Sequence, residues 1–163
     1  MVIGKGDIAS MLNDREGAIF FASGVSNSNE TRESEFIREI ELLKKQDKTK
    51  CLFYFSSIAL DDLDKVKKSK YLQHKLNVES IIESNFKNFN IIRVGNINWG
   101  INPNTFINYI KNKIKKGEPV VIKDEVRYII NKEQLVLLTD NLPLVGQNRI
   151  SVFGKMAKVE ELI

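Results

Sequence analysis

The run Cys51-Leu-Phe-Tyr-Phe55 constrains this chain more than any other stretch. Side chains along a strand point alternately to the two faces of a sheet, so an unbroken apolar run needs cover on both sides. Such strands belong to parallel sheets with helices above and below. Two further runs read the same way, Ala18-Ile-Phe-Phe-Ala22 and Ile91-Ile-Arg-Val-Gly95. The stretches between them carry the helical period: residues 34–46 place Phe36, Ile40 and Leu43 on one stripe, and residues 69–85 form a second helix. The predicted fold class is therefore α/β, a mostly parallel sheet with helices on both faces.

The rest of the chain fits around these elements. Residues 1–4 read as a strand and 7–15 as a helix, whereas 60–68 reads as a loop, first acidic and then basic. Leu72 and Leu76 are placed to pack on the sheet. Residues 104–116 read as a helix with Phe106, Ile107, Ile110 and Ile114 facing in, started by Pro103-Asn104 and stopped by Gly117. Strands follow near 119–123 and 127–130, then a helix over 132–140 carrying Leu135, Val136 and Leu138. A strand at 150–153 and a helical turn at 157–162 complete the order.

At 163 residues the chain is predicted to be one domain, 1–163, with about 95–163 forming the substrate side. No apolar run approaches the roughly 20 residues that span a bilayer, and the first residues lack the pattern of a signal peptide. Cys51 is the single cysteine, which excludes an intrachain disulfide and fits a reducing, cytoplasmic setting. The net charge is +4, and lysines gather at 65–70 and 111–116. These read as solvated helix faces, because no nucleic-acid-binding module or aromatic interleaving accompanies them. His74 is the only histidine, and no Cys/His spacing for zinc is present, so no metal site is expected; His74 reads as a solvated or packing residue.

Chemistry concentrates in Tyr71-x-x-x-Lys75-x-x-x-Glu79, three residues on one helix face. An ammonium group beside a phenol favours the phenolate and lowers a pKa that is ordinarily about 10. The spacing alone is weak, since Tyr109/Lys113 and Tyr128/Lys132 repeat it. Only the Tyr71 copy follows a buried strand ending in hydroxyls, Ser56-Ser57, and precedes a second buried strand. Near the start, Gly4-Lys5-Gly6-Asp7-Ile8-Ala9 follows a strand as a phosphate-cradling turn does. Asp7 is ill suited to such a turn because a carboxylate repels phosphate. The loops Ala22-Ser23-Gly24-Val25-Ser26-Asn27-Ser28 and 95–103 both leave the carboxyl ends of strands, where open parallel sheets bind ligands.

Taken in this order, these residues resemble the extended short-chain dehydrogenase/reductase superfamily, in its branch of NAD-dependent nucleotide-sugar epimerases and dehydratases. The resemblance covers nearly the whole chain and implies a shortened Rossmann-like fold. It implies that Ser57, Tyr71 and Lys75 are catalytic, and that Gly4, Gly6, Ile8, Ala22, Ser23, Gly24, Tyr71, Lys75, Gly95 and Asn96 bind NAD or NADP. Ser57, Asn96 and Arg127 would bind a nucleotide-sugar substrate, Arg127 through its diphosphate; a surface salt bridge is the alternative role for Arg127. The implied activity is an NAD(P)-dependent oxidoreductase or epimerase in bacterial surface-polysaccharide synthesis, with a homodimer built from helices 34–46 and 69–85. The rival reading is a non-catalytic Rossmann remnant that binds a nucleotide sugar or serves a full-length enzyme as partner subunit. The chain departs from the family pattern in three places. Its phosphate turn is one residue short, no acidic residue stands about 20 positions on to hold the adenosine ribose, and only 14 positions separate Ser57 from Tyr71.

Overall fold

The structure, a computed structural model, describes residues 1–120 and 126–162. The strands are β1 (Val2–Ile3), β2 (Ala18–Phe21), β3 (Cys51–Ser57), β4 (Phe89–Val94), β5 (Asn96–Ile97), β6 (Val126–Ile130), β7 (Gln147–Val152) and β8 (Lys155–Lys158). The helices are α1 (Glu33–Lys44), α2 (Leu63–Lys68), α3 (Lys70–Asn85), α4 (Phe106–Lys115) and α5 (Lys132–Asn141). A five-stranded sheet runs in the order β1-β2-β3-β4-β7, parallel throughout, and β5-β6-β8 form a second, smaller sheet. The architecture is α/β and Rossmann-like.

The pleat separates two cores. Ile19, Phe21, Leu52, Tyr54 and Ile91 point to one face, where Leu43 of α1 and Val78 and Ile82 of α3 cover them. Phe20, Phe53, Phe55, Ile92 and Val94 point to the other, where Met11, Ile130 and Leu135 of α5 cover them. Helices therefore flank both faces. Local capping agrees with the tertiary plan: Ser69 accepts from the Leu72 N–H at the start of α3, and Asn131 and Gln134 form a reciprocal capping box on α5. No helix among the described residues is long and apolar enough to cross a membrane.

The strand order never reverses, yet the connections change face. The segment after β1 crosses over the Met11 face and α1 and α3 over the opposite one, while the route from β4 to β7 returns to the first. All four crossings step in the same lateral direction, so the two pairs have opposite hand. At the outer strand the β1 backbone is closed by a side chain: Asp14 Oδ1 accepts from the Val2 N–H at 2.8 Å.

Several elements differ from the sequence expectation. The helix predicted over 7–15 is a three-residue 3-10 turn, Ala9–Met11, because the chain is extended again at Leu12 and rejoins the sheet at Ala18. The predicted loop 60–68 holds a 3-10 turn, Ile58–Asp61, and then α2, which Asp62 caps by accepting from the N–H groups of Asp64 and Lys65. Residues 157–158, expected to open the last helical turn, belong instead to β8, where Ala157 is buried between exposed Met156 and Lys158; the turn itself forms as a 3-10 turn over Val159–Leu162. Leu76 and Ile114 are exposed, not packed inward, because the buried stripes of α3 and α4 run through Val78/Ile82 and Ile107/Ile110. Of the strand expected near 119–123, residues 121–123 lie outside the described residues, and 119–120 carry no strand.

Candidate active site

Open sheets bind ligands where neighbouring strands send their following segments to opposite faces. Here β1 parts from β2 in this way, and β3 from β4. A cleft of about 920 Å³ opens at the carboxyl ends of these strands. Its walls carry Gly6, Ile8, Ala22, Ser23, Gly24, Ser57, Tyr71, Lys75, Gly95, Asn96 and Arg127. Of the residues to which the resemblance gives a catalytic or binding role, only Gly4 stands outside this lining. A Cβ on Gly4 would lie 2.4 Å from the Ala22 carbonyl oxygen, and its φ of +129° suits glycine, so that glycine serves the close approach of β1 to β2.

Ser57 ends β3, and α3 brings Tyr71 and Lys75 over the same opening. Tyr71 is half-buried and in polar contact with Ser57. The Lys75 ammonium is 2% exposed and lies 5.8 Å from the centre of the Tyr71 ring. It donates to Glu39 Oε1 at 3.2 Å and to the Tyr54 hydroxyl at 3.0 Å, which leaves one of its three N–H groups for a ligand.

Glu39 is the residue that the sequence reading missed. It is 0% exposed on α1, and its carboxylate also accepts from the Val25 N–H and the Tyr54 hydroxyl, both at 2.7 Å, and meets His74 Nε2 at 2.8 Å. The signal was its spacing: Phe36, Glu39 and Leu43 share one helix face, so a carboxylate stood in an apolar stripe. His74 is correspondingly a buried partner of Glu39, stacked on Phe36 with ring centres 4.4 Å apart, and not a solvated residue. Burial works to raise the Glu39 pKa, but the Lys75 charge and the hydrogen bonds from His74, Val25 and Tyr54 outweigh it and hold the carboxyl well below the usual range. A depressed carboxylate stabilises the fold at neutral pH, and that contribution is lost progressively as pH falls below the ordinary glutamate value, about 4.3, toward the lower value of the folded state. Melting temperature is therefore expected to drop below about pH 5. A double variant lacking both charges, Glu39→Gln/Lys75→Met, should show a shallower drop.

The expected lowering of Tyr71 is reversed. Burial pushes the phenol up and outweighs Lys75, which works to lower it; Glu39 adds to the rise, and the contact with Ser57 opposes it. Lysine was expected to prevail, but its charge is already answered by Glu39.

Glu79, one turn further along α3, belongs elsewhere. It is 0% exposed and accepts from Ser56 Oγ at 2.7 Å, from Arg93 Nε at 3.1 Å and from Arg93 Nη2 at 2.7 Å. Arg93 in turn reaches Asp61 at 2.7 Å, and Arg149 Nε lies 3.3 Å from Glu79. The Tyr71/Lys75/Glu79 stripe thus serves two separate networks.

The loops above the cleft are tied together by Asp7. Its carboxylate accepts from the Ile101 and Asn102 N–H groups at 3.1 and 3.0 Å, and Asn102 Nδ2 donates to Ser26 at 3.1 Å. The acid that seemed misplaced in a phosphate turn is a clasp between loops. Arg127, on β6, lies with its guanidinium 4.5 Å from the centre of the Phe106 ring. Asn96 Nδ2 donates to the Tyr128 carbonyl at 3.3 Å.

No protein-family model matches this chain, and no curated protein does. Solved structures do. WbmH of Bordetella bronchiseptica, in complex with NAD+, matches 89% of this chain with 55% of its own at 13% identity and a TM-score of 0.69. A UDP-glucuronic acid 4-epimerase from Bacillus cereus, in complex with NAD and a UDP-sugar, matches 94% of this chain with 59% of its own at 15% identity and a TM-score of 0.66. The capsular polysaccharide assembling protein CapF of Staphylococcus aureus matches 95% of this chain with 44% of its own at 18% identity and a TM-score of 0.55. The likeness is one of fold. This chain spans about half the length of the structures it matches.

The residues present fit one end of a dinucleotide better than the other. Tyr71, Ser57 and the remaining Lys75 N–H surround an opening fit for a ribose and a reacting ring. A side chain on Gly6 would meet nothing within 4 Å, so the first turn is open to an approaching ligand. Beyond β1 no strand stands among the described residues to carry an adenosine ribose.

Proposed function

We propose that this cleft binds a nucleotide sugar together with NAD or NADP and carries out hydride exchange at a sugar hydroxyl or ketone. The observation that carries the reading is the meeting of Ser57, Tyr71 and Lys75 at the carboxyl end of a parallel sheet. Bound there, the nicotinamide supplies or accepts the hydride. The chain's own residues do the remainder. Tyr71 moves the proton at the substrate oxygen, Ser57 holds that oxygen, and the free Lys75 N–H binds a ribose hydroxyl. Gly6, Ile8, Ala22, Ser23, Gly24, Gly95 and Asn96 line the cofactor side, and Arg127 holds the substrate diphosphate through a planar, bidentate contact. The names of the fold neighbours support nucleotide sugars as the substrate class. The CapF name supports a role in surface-polysaccharide synthesis, which would take place in the cytoplasm.

The second reading, a binding module without turnover, is favoured by one observation: among the described residues no strand lies beyond β1, where a dinucleotide fold continues. Titration of the purified protein with NADH and NADPH, followed by nicotinamide fluorescence, separates the two. Saturation in the micromolar range is expected, and added nucleotide sugars should then change the nicotinamide absorbance. Folded protein that binds neither cofactor, yet binds a nucleotide sugar, would establish the second reading instead.

A further inference from the structure

Tyr71 and Lys75 share α3, but the group that governs them comes from another element. Glu39 reaches in from α1 beneath the loop at Gly24, and it is fully buried where Lys75 is nearly so. A Cβ on Gly24 would lie 2.7 Å from both Glu39 Oε1 and Lys75 Nζ, so the loop lies directly against the ion pair. The Tyr54 hydroxyl, which donates to Glu39 and accepts from Lys75, locks the two together.

We propose that Glu39 is a positioning residue of this cleft: it holds Lys75 in a net-neutral pair, so that Tyr71 meets a substrate oxygen as a protonated acid. A lone ammonium group 5.8 Å from the phenol ring would draw the proton off. An ammonium bound to a buried carboxylate has little net field to do so. The groups that face Tyr71 are Lys75 from its own helix, Glu39 from α1, and Tyr54 and Ser57 from β3. His74 faces Glu39 from the other side. Of the remaining charges of the cleft wall, Lys5, Arg38, Asp61, Asp62 and Lys65 are exposed and screened by water, while half-buried Asp7 is held by the Ile101 and Asn102 N–H groups and half-buried Arg127 lies against the Phe106 ring.

One consequence rests on the proposed function: the free protein holds the acid form that ketone reduction needs. In that direction a bound reduced nicotinamide would supply the hydride for the carbonyl carbon and be left oxidised, while the Tyr71 O–H bond would break and its proton pass to the carbonyl oxygen. The C=O becomes CH–OH, and the phenolate left behind is reprotonated by water in the open cleft.

The test is read without substrate or cofactor. Phenolate absorbance is followed against pH, and the Tyr71 signal is isolated by subtracting the same background carrying Tyr71→Phe. Glu39→Gln is expected to lower the Tyr71 midpoint by ~1 pH unit or more. Lys75→Met should raise it, and Glu39→Gln/Lys75→Met should return it to the wild-type value. The double variant carries neither charge of the pair, so it keeps the proposal open to refutation if a single variant does not fold: a Tyr71 midpoint raised above the wild-type value overturns it. A double variant whose Tyr71 midpoint is raised as far as that of Lys75→Met, or a Glu39→Gln variant with the midpoint unmoved, overturns the proposal. Because the titration needs no turnover, it stands apart from the NADH experiment: the pairing can hold in a protein that binds no cofactor, and fail in one that does.

Discussion

Tyr71→Phe is expected to lower the proposed turnover of a nucleotide sugar by roughly 10²–10⁴-fold, the range in which positioned acid–base groups act. Affinity for the cofactor should change little. The substitution removes one oxygen and keeps the ring, so the contacts of α3 with the sheet persist. The phenol meets Ser57 through that oxygen, while the Lys75 ammonium lies 5.8 Å from the ring centre, which phenylalanine keeps. Single-turnover measurement separates the chemical step from binding. Turnover within a few-fold of the parent would show that the proton comes from elsewhere, and the acid–base role of Tyr71 would fall. Because the free phenol is protonated at neutral pH, the expected loss is larger for ketone reduction than for oxidation assayed near pH 7.

Glu79→Ala should be the most damaging single change to stability, at about 3–5 kcal/mol, the cost of removing one member of a buried charge network. A domain's whole stability is on the order of 5–15 kcal/mol. The Glu79 carboxylate is 0% exposed, and the Arg93 side chain it holds is 12% exposed. Without Glu79, Arg93 keeps only Asp61, and the Ser56 hydroxyl loses its acceptor under the sheet. Arg149, another contributor to the network, has a side chain 43% exposed and a second acid, Glu83, beside it. Arg149→Ala is therefore expected to stay within about 1 kcal/mol. Urea unfolding of the three proteins compares them directly, and equal midpoints for the two variants would refute the view that Glu79 organises this cluster.

What the sequence disclosed and what it withheld divide along physical lines. The unbroken apolar runs Ala18–Phe21 and Cys51–Phe55 of β2 and β3 announced a sheet covered on both faces, with Ile91, Ile92 and Val94 of β4 beside them, and the 36/40/43 stripe announced α1. Ser57, Tyr71 and Lys75 were legible because their spacing and their place after a hydroxyl-ended strand reinforce one another. Glu39 was read past because a single glutamate in an amphipathic helix is ordinarily solvated; only its partners, dispersed over positions 25, 54, 74 and 75, make it a buried anion. A helix over 7–15 is expected because Gly4-x-Gly6-x-x-Ala9 after a strand reads as a turn that opens one, yet only the short turn Ala9–Met11 forms. The need to rejoin the sheet at Ala18 overrode the longer helix. The purpose of Asp7 was not visible at all, since its partners lie 94 and 95 residues away.

The contact between Asp14 and the Val2 N–H has a meaning beyond β1 itself. A sheet that stops short exposes a row of unused backbone donors, which in other chains nucleates fibrils and edge-to-edge aggregates. Here one carboxylate occupies the outward N–H of a strand only two residues long, and the far edge, β7, begins Gln147-Asn148-Arg149, polar and charged. Both flanks are thus poor templates for a recruited strand.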